Sequence, residues 1–290
     1  MFKSLNYWVF GGFTAERTCE EFIDWAKEQG LDGVELTIGD LIALDTPDAR
    51  LAEIKAYAAS KNIQLRTTAF SGGWTCSMSS PDKAERELAI SRTEQGLRIT
   101  AALGAETMLT LAGATRVAWD PSRPIVSYKT TWELATESVK KLLPIAEKYN
   151  VNMALENVWN RFLISPMEWK FFLDQFDSPK VGLYFDVGNF CINGQPEDFP
   201  EILGDYIKAV HLKNFEEVDC AGGLHSFGDD LLKGAVNFKA VFAALKAINY
   251  TGAYTAEMIP FSRLPDMVLP DLPLAEKTAK QMLELEKNYY

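Results

Sequence analysis

The stretch VGLYFDVGN, residues 181–189, carries a short apolar run directly into the carboxylate of Asp186. The segment before it, MEWKFFLDQFDSPK at residues 167–180, is amphipathic and ends in a turn. Burying an ionised carboxylate is costly unless it is paired or bound to a cation. An acidic residue at the end of a buried strand therefore needs an explanation, and the same arrangement recurs along the chain.

The unit of an amphipathic segment, a turn and a short apolar strand repeats along the whole sequence. Clear examples are WELATESVKKLLPIAEKYN before VNMALEN, residues 132–157, and FKAVFAALKAINYTG before AYTAEM, residues 238–258. With NYWVF at residues 6–10 as the first strand, the pattern predicts eight strands and about eight helices. Near-continuous apolar strands that alternate with helices indicate a parallel sheet covered on both faces. Eight units in 290 residues favour an α/β fold, a closed (β/α)8 TIM barrel, with residues 1–290 as a single domain.

Composition and charge argue against several classes of protein. The formal net charge is −11, whereas nucleic-acid binding relies on basic residues that neutralise phosphates. No run of about 18 apolar residues predicts a transmembrane helix, and MFKSLNYWVFGG lacks the apolar core and cleavage pattern of a secretory signal. No Cys-x-x-Cys pair occurs among the four scattered cysteines, Cys19, Cys76, Cys191 and Cys220. We therefore expect a cytoplasmic protein that binds neither nucleic acid nor membrane.

Four polar residues stand at the ends of four successive predicted strands. Glu156 ends VNMALE, Asp186 ends VGLYFD, His211 ends KAVH and Glu257 ends AYTAE. Catalytic groups of such barrels sit at the C-terminal strand ends, so neighbouring strands should bring these side chains around one point. Three converging carboxylates repel one another unless a cation lies between them. Three oxygen donors and one imidazole suit one divalent ion, with Mn²⁺ expected first and Mg²⁺ or Co²⁺ as alternatives.

Five phrases of the sequence match a known family: LDGVEL (31–36), ALENVWNRF (154–162), YFDVGN (184–189), AVHLKNF (209–215) and YTGAYTAEM (250–258). On these phrases the chain resembles the xylose isomerase-like barrel superfamily, in its sugar phosphate isomerase/epimerase branch, which includes the ketose 3-epimerases. The resemblance implies one metal ion bound by Glu156, Asp186, His211 and Glu257. It also implies that the two glutamates exchange protons with C3 of a ketose from opposite faces, inverting that carbon through an enediolate.

Seven further residues are candidates for contacts with a small sugar substrate: Tyr7, Trp8, Glu35, Trp74, Arg161, Asn189 and Lys213. The three aromatic residues could form the apolar wall of a sugar pocket, although large aromatics are also ordinary core residues. Glu35 could hydrogen-bond a sugar hydroxyl or pair with Arg66. Arg161 could bind substrate or brace its loop. Lys213 could contact an anionic group of the substrate or lie solvated at the rim.

Two departures from the ketose 3-epimerase pattern leave the substrate class open. Asn189 stands where many members have a histidine, and Asn214 stands where an acidic residue often follows His-x-Lys. After the eighth strand, Arg263 is the only basic candidate for binding a phosphate, which favours a free ketose over a ketose phosphate. His225, in the loop after the seventh strand, is expected at the surface. The resemblance further implies a homodimer or homotetramer.

Other functions of the same barrel remain as rivals. An aldose–ketose isomerase or a keto-inositol dehydratase could use the same site. A non-catalytic binding barrel is disfavoured because all four ligand positions carry residues able to bind a metal. The superfamily also contains endonucleases for abasic DNA, which bind several zinc ions through many histidines. The two histidines and the negative charge of this chain argue against that reading.

Overall fold

The computed structural model describes residues 1–117, 120–191, 193–217, 225–259 and 269–290, and its centre is a closed parallel barrel. The barrel strands are β1 (Phe2–Asn6), β2 (Gly33–Ile38), β3 (Thr67–Phe70), β4 (Thr107–Thr110), β5 (Asn152–Glu156), β6 (Val181–Asp186), β7 (Ile207–Leu212) and β10 (Ala253–Ala256). A short antiparallel hairpin follows β7 and consists of β8 (Phe215–Glu217) and β9 (His225–Phe227). Strand β10 pairs in parallel with both β7 and β1, which closes the ring. The predicted (β/α)8 TIM barrel is confirmed.

Helices connect the strands and cover the outside of the barrel. They are α1 (Tyr7–Gly11), α2 (Cys19–Glu28), α3 (Asp48–Ser60), α4 (Lys83–Leu103), α5 (Tyr128–Tyr149), α6 (Pro166–Leu173), α7 (Val187–Phe190), α8 (Asp198–Leu203), α9 (Phe238–Ala247) and α10 (Leu272–Tyr289). Reciprocal side-chain caps begin α2 and α6, where a hydroxyl and a glutamate satisfy each other's backbone N–H groups. The spacing in α9 places four buried residues on one face, Phe238, Val241, Phe242 and Leu245. Across the described ranges, no helix combines the length and the apolar character needed to cross a bilayer.

The first strand lies earlier in the chain than the sequence predicts, and NYWVF at residues 6–10 is not a strand. Strand β1 ends at Asn6, whose Oδ1 accepts a hydrogen bond of 2.7 Å from the backbone N–H of Trp8. That bond caps α1, so the apolar run after Asn6 folds as a short buried helix. A short apolar run has no periodicity that separates a strand from a buried helical turn, which explains the wrong prediction.

Two apolar clusters divide the core. The larger joins the strands to the surrounding helices, and the smaller contains Trp8, Ala69, Leu109, Ala154, Tyr184 and Ala209. Side chains two residues apart on a strand share a face. The smaller cluster therefore lies on the same inner face as three polar residues further along its strands, in the pairs Ala154 and Glu156, Tyr184 and Asp186, and Ala209 and His211. On β5, β6 and β7, apolar side chains thus lie one layer below the polar groups at the C-terminal strand ends.

Candidate metal centre

Four side chains converge at the C-terminal ends of β5, β6, β7 and β10. Glu156 and Asp186 are the last residues of their strands, His211 is the fifth of six, and Glu257 directly follows its strand. The strand register pairs Asp186 with His211 and His211 with Thr255, two residues before Glu257, so all four point to one face. One ligand atom from each lies within 4.8 Å of the others, and all four residues are buried. The predicted grouping is confirmed, and it forms a set of residues able to hold a divalent metal ion.

The imidazole of His211 directs one nitrogen at the three carboxylates. Its Nδ1 lies 3.6 Å from Glu257 Oε2, 3.8 Å from Glu156 Oε1 and 4.0 Å from Asp186 Oδ2. Within the described part of the chain, Nδ1 has no hydrogen-bond partner, whereas Asp186 Oδ2 forms an ion pair with the ammonium of Lys213 at 3.0 Å. Buried polar atoms are nearly always satisfied, so an unpartnered ring nitrogen that faces three carboxylates marks a place suited to a cation. The donor set of the chain fits a divalent metal ion.

The electrostatics of the cluster follow from burying so many charges together. Burial raises the pKa of Glu156 to about 7, reinforced by Glu257 and Asp186 and opposed by His211. Burial alone lowers the pKa of His211, but Glu257 and Glu35 outweigh it and hold that pKa well above its usual value. The metal-free cluster therefore retains protons that ligand atoms must give up when they bind a metal.

Lys213 lies inside this cluster. Its Nζ is 2.6 Å from Glu257 Oε2 and 3.0 Å from Asp186 Oδ2, and the side chain is 4% exposed. Both carboxylates raise the pKa of Lys213 against the opposing effect of burial. The alternative of a solvated rim lysine is wrong, because three carboxylates at the strand ends provide the charge that draws the ammonium inward.

Asn189 contacts two of the four residues. Its backbone N–H donates to Asp186 Oδ1 at 2.8 Å, and its Nδ2 donates to Glu156 Oε1 at 3.3 Å. Its Oδ1 accepts a hydrogen bond of 2.6 Å from Trp159 Nε1. The short helix α7 thus places a bracing amide beside the carboxylates. Asn157 braces the same region, since its Nδ2 donates to the backbone oxygen of Asp186 at 2.7 Å.

Glu35 lies beneath His211 and is fully buried. Its Oε1 is 2.7 Å from His211 Nε2 and accepts a hydrogen bond of 2.7 Å from Asn6 Nδ2, while its Oε2 accepts one from the hydroxyl of Tyr184. The expected pairing of Glu35 with Arg66 is wrong, because Arg66 instead reaches Glu106 on the exterior of the barrel, at 3.4 Å. Sequence reasoning missed Asn6 and Tyr184. The position of Tyr184, two residues before Asp186, was the available signal.

The aromatic candidates separate into two places. Trp8 belongs to the inner cluster, and Trp74 packs against that cluster. The Nε1 of Trp8 donates a hydrogen bond of 2.5 Å to Asp40 Oδ2. Tyr7 belongs instead to the larger core, where its ring centroid lies 5.5 Å from that of Phe22. The structure therefore brings two of the three predicted aromatics together on the inner side of the barrel.

Three sequence candidates lie apart from the cluster or outside the described residues. Arg161 is exposed, and its backbone oxygen accepts a hydrogen bond of 3.0 Å from Thr115 Oγ1. Of His225 only the backbone is described, in β9, and Arg263 lies outside the described residues. The expectations for these two side chains stay predictions.

The protein is a (β/α)8 barrel with three buried carboxylates and an imidazole grouped at its C-terminal strand ends. A sequence model of the family "Xylose isomerase-like TIM barrel" matches residues 23–285, and the chain belongs to this family.

Individual relatives agree with this assignment. The chain is 26% identical over 238 residues to a protein of Escherichia coli K12 named "Putative L-ribulose-5-phosphate 3-epimerase SgbU", which covers 80% of this chain and 81% of the relative. The structure of a D-psicose 3-epimerase in the presence of D-fructose is similar over 100% of this chain and 99% of that chain, with a TM-score of 0.79 and 20% identity. The structure of IOLI protein with a bound zinc atom has a TM-score of 0.75 at 17% identity, over 100% and 99% of the two chains. These two structural likenesses show the shared fold.

Proposed function

We propose that the protein is a metal-dependent sugar epimerase, an isomerase-class enzyme of carbohydrate metabolism that inverts C3 of a ketose. The observation that carries the proposal is the cluster of Glu156, Asp186, His211 and Glu257, with His211 Nδ1 buried, unpartnered among the described residues and facing the carboxylates. The epimerase name of the E. coli relative supports the choice of reaction.

The four residues would hold one divalent ion, with Mn²⁺ preferred and Mg²⁺ or Co²⁺ as alternatives. Carboxylate oxygens and a single imidazole are ligands that these ions accept. When bound, such an ion acts as a Lewis acid that polarises the ketone of the substrate and stabilises the enediolate.

The two glutamates would move the proton. The strand order places β6 and β7 between β5 and β10, so Glu156 and Glu257 approach the centre of the cluster from opposite flanks. A carboxylate on one flank removes the proton from C3, and the other returns a proton to the opposite face, which inverts the carbon. Positioned acid–base groups of this kind typically contribute about 10²–10⁴-fold each.

The remaining groups around the cluster support substrate binding and water exclusion. Trp8 and Trp74 would form part of an apolar wall above the inner cluster. Asn189 contacts Glu156, and Lys213 contacts Glu257. Both would therefore lie close to a substrate bound between the two glutamates. We retain Tyr7, Glu35 and Arg161 as sequence-based candidates of lower rank, since the contacts described above give them other partners.

Two substrate forms have specific support. A free ketose is our first choice, because the ion pairs of Lys213 with Asp186 and Glu257 already compensate the charge that would attract a phosphate. A ketose phosphate is the second, because the relative in E. coli carries L-ribulose-5-phosphate in its name. An aldose–ketose isomerase and a keto-inositol dehydratase remain the chemical rivals.

The test is incubation of the Mn²⁺-loaded protein with a panel of ketoses and ketose phosphates in D₂O, followed by NMR. Deuterium at C3 together with the C3 epimer supports the proposal. Deuterium at C1 with an aldose product would identify an isomerase, and loss of water without an epimer would identify a dehydratase. Conversion of phosphorylated sugars alone would overturn the free-ketose assignment. The Asp186→Ala variant provides the metal-free control.

We further propose a cytoplasmic homodimer or homotetramer. Cys19 and Cys76 are buried thiols outside any disulfide, which suits a reducing compartment. Met167 and Phe171 lie one helical turn apart on α6 and are 66% and 68% exposed, an apolar face that a second copy would cover. Light scattering of the wild type and of Phe171→Glu tests this surface, and a monomeric wild type would contradict it.

A further inference from the structure

Glu35 is an acidic residue in the middle of a barrel strand, directed into the interior with 0% of its surface exposed. A buried carboxylate is costly unless hydrogen bonds compensate its desolvation. The groups that contact it are the side chains of Asn6, Tyr184 and His211. Burying the carboxylate of Glu35 therefore has a desolvation cost that a role in packing alone does not explain.

Three polar groups surround this carboxylate and fix its orientation. Asn6 donates through Nδ2, and the identity of that atom is settled because Asn6 Oδ1 accepts the backbone N–H of Trp8. The hydroxyl of Tyr184 donates to the other carboxylate oxygen, and the Tyr184 ring centroid lies 4.4 Å from that of His211. The third contact is with His211 Nε2, which lies 2.7 Å from Glu35 Oε1.

We infer that Glu35 is a positioning residue that fixes the tautomer and ring orientation of His211, and thereby sets the metal affinity of the site. An ionised carboxylate can only accept hydrogen bonds, so His211 Nε2 must carry the hydrogen. The other nitrogen, Nδ1, is then the one that gives up its proton and offers a lone pair to a cation, in the direction of the three carboxylates. Residues that hold the second nitrogen of a ligating histidine are known to tune its basicity and orientation.

This inference rests on the metal site of the proposed function and changes the role of Glu35 from substrate contact to support of a ligand. It assigns the same supporting role, one step further out, to Asn6 and Tyr184. Both hold Glu35, and among the described residues neither side chain forms a hydrogen bond to the cluster of four.

The experiment measures zinc binding and the protonation of the imidazole separately from activity. Titration calorimetry gives the dissociation constant of zinc. Because zinc is diamagnetic, NMR of ¹⁵N-histidine-labelled protein can also report which ring nitrogen carries the proton. The chain has two histidines, so His225→Gln assigns the spectrum. Wild-type protein with zinc should show a protonated Nε2 and a zinc-bound Nδ1 on His211.

Glu35→Gln keeps the shape of the side chain and removes its charge, and its amide can donate to Nε2 and select the wrong tautomer. We expect zinc affinity to fall by about 10–100-fold. Glu35→Asp should recover part of the affinity that Glu35→Ala loses, since it restores a carboxylate. The matched control is Glu106→Gln, at a glutamate on the exterior that pairs with Arg66, and it should bind zinc like the wild type.

Two results would overturn the inference: wild-type zinc affinity in Glu35→Gln, or zinc bound through Nε2 of His211 in the wild type. The second result needs no variant, so it decides the matter even where Glu35→Gln fails to fold. A wild type that binds zinc through Nδ1 and epimerises no ketose would defeat the proposed function alone. An active epimerase whose Glu35→Gln variant binds zinc normally would defeat this inference alone.

Discussion

The ammonium of Lys213 lies 2.6 Å from Oε2 of Glu257 and forms the shortest ion pair within the candidate metal centre. The same nitrogen lies 3.0 Å from Asp186 Oδ2. A cation supplied by the chain thus stands among the residues that we assign to a metal ion. It compensates part of the carboxylate charge in the metal-free protein.

Replacing Lys213 with methionine should destabilise the metal-free protein more than the metal-loaded one. Removing one partner of a buried ion pair typically costs about 3–5 kcal/mol in the free energy of unfolding, because the other charge stays buried. Bound Mn²⁺ would neutralise the same carboxylates. Urea unfolding with a chelator and with Mn²⁺ measures both values. Lys277→Met, at a surface pair with Asp229 and Asp230, is the control, and an equal loss under both conditions would contradict the prediction.

Replacing Asp186 or His211 with alanine should remove the metal and leave the barrel folded. Each variant loses a ligand atom, while most of the core and the strand pairing stay in place. Metal content of the purified protein gives the first readout and circular dichroism gives the second. Asp174→Ala, at a surface pair with Lys170, should keep its metal. Full occupancy in both cluster variants would refute the ligand assignment.

Replacing Glu156 or Glu257 with glutamine should separate metal binding from proton transfer. Glutamine keeps an oxygen donor and removes the base, so metal is partly retained while epimerisation falls by about 10²–10⁴-fold. The base that remains can still remove the C3 proton and return it to the same face. NMR in D₂O should therefore show deuterium at C3 of unchanged substrate in at least one variant. Wild-type epimerase rates in both variants would end the two-base proposal.

Metal affinity should rise with pH through the neutral range. Burial raises the pKa of Glu156 to about 7, and Glu257 and Glu35 hold the pKa of His211 well above its usual value against the effect of burial. Both groups are protonated on the acidic side of these values, and both must lose a proton to bind the ion. Raising the pH removes that competition. Calorimetry from about pH 6 to about pH 8 in buffers of different ionisation enthalpy should show proton release, and a constant affinity without release would contradict the assignment.

The sequence was sufficient for the ligand cluster because barrel geometry converts strand ends into neighbours. Glu156 and Asp186 needed only an apolar run before them and a parallel sheet around them. The contacts of Glu35 were not accessible in this way. Its partner His211 is 176 residues away, and only the three-dimensional structure shows that the two side chains lie within hydrogen-bond distance.

Local ambiguity accounts for the other errors. Strand β1 was misplaced because Asn6 serves both as a strand end and as a helix cap, and four apolar residues follow it in either case. Lys213 was not recognised as buried because a lysine after a strand usually extends into solvent. The charge of three neighbouring carboxylates outweighs that tendency. Their combined effect on Lys213 is visible only in the folded barrel, where the strands bring them together.

The hydrogen bonds of Glu35 also bear on the order of events during folding. They tie β2 to β6 and β7 across the lumen, with sequence separations of 149 and 176 residues. Contacts between such distant segments form late, since the loop-closure entropy must be lost before they can stabilise the chain. All four ligand residues reside in the second half of the sequence, yet the residue that steadies His211 comes from the first. We therefore expect a half-assembled barrel to hold the complete set of donors with a loosely oriented imidazole, so that tight capture of the ion marks ring closure.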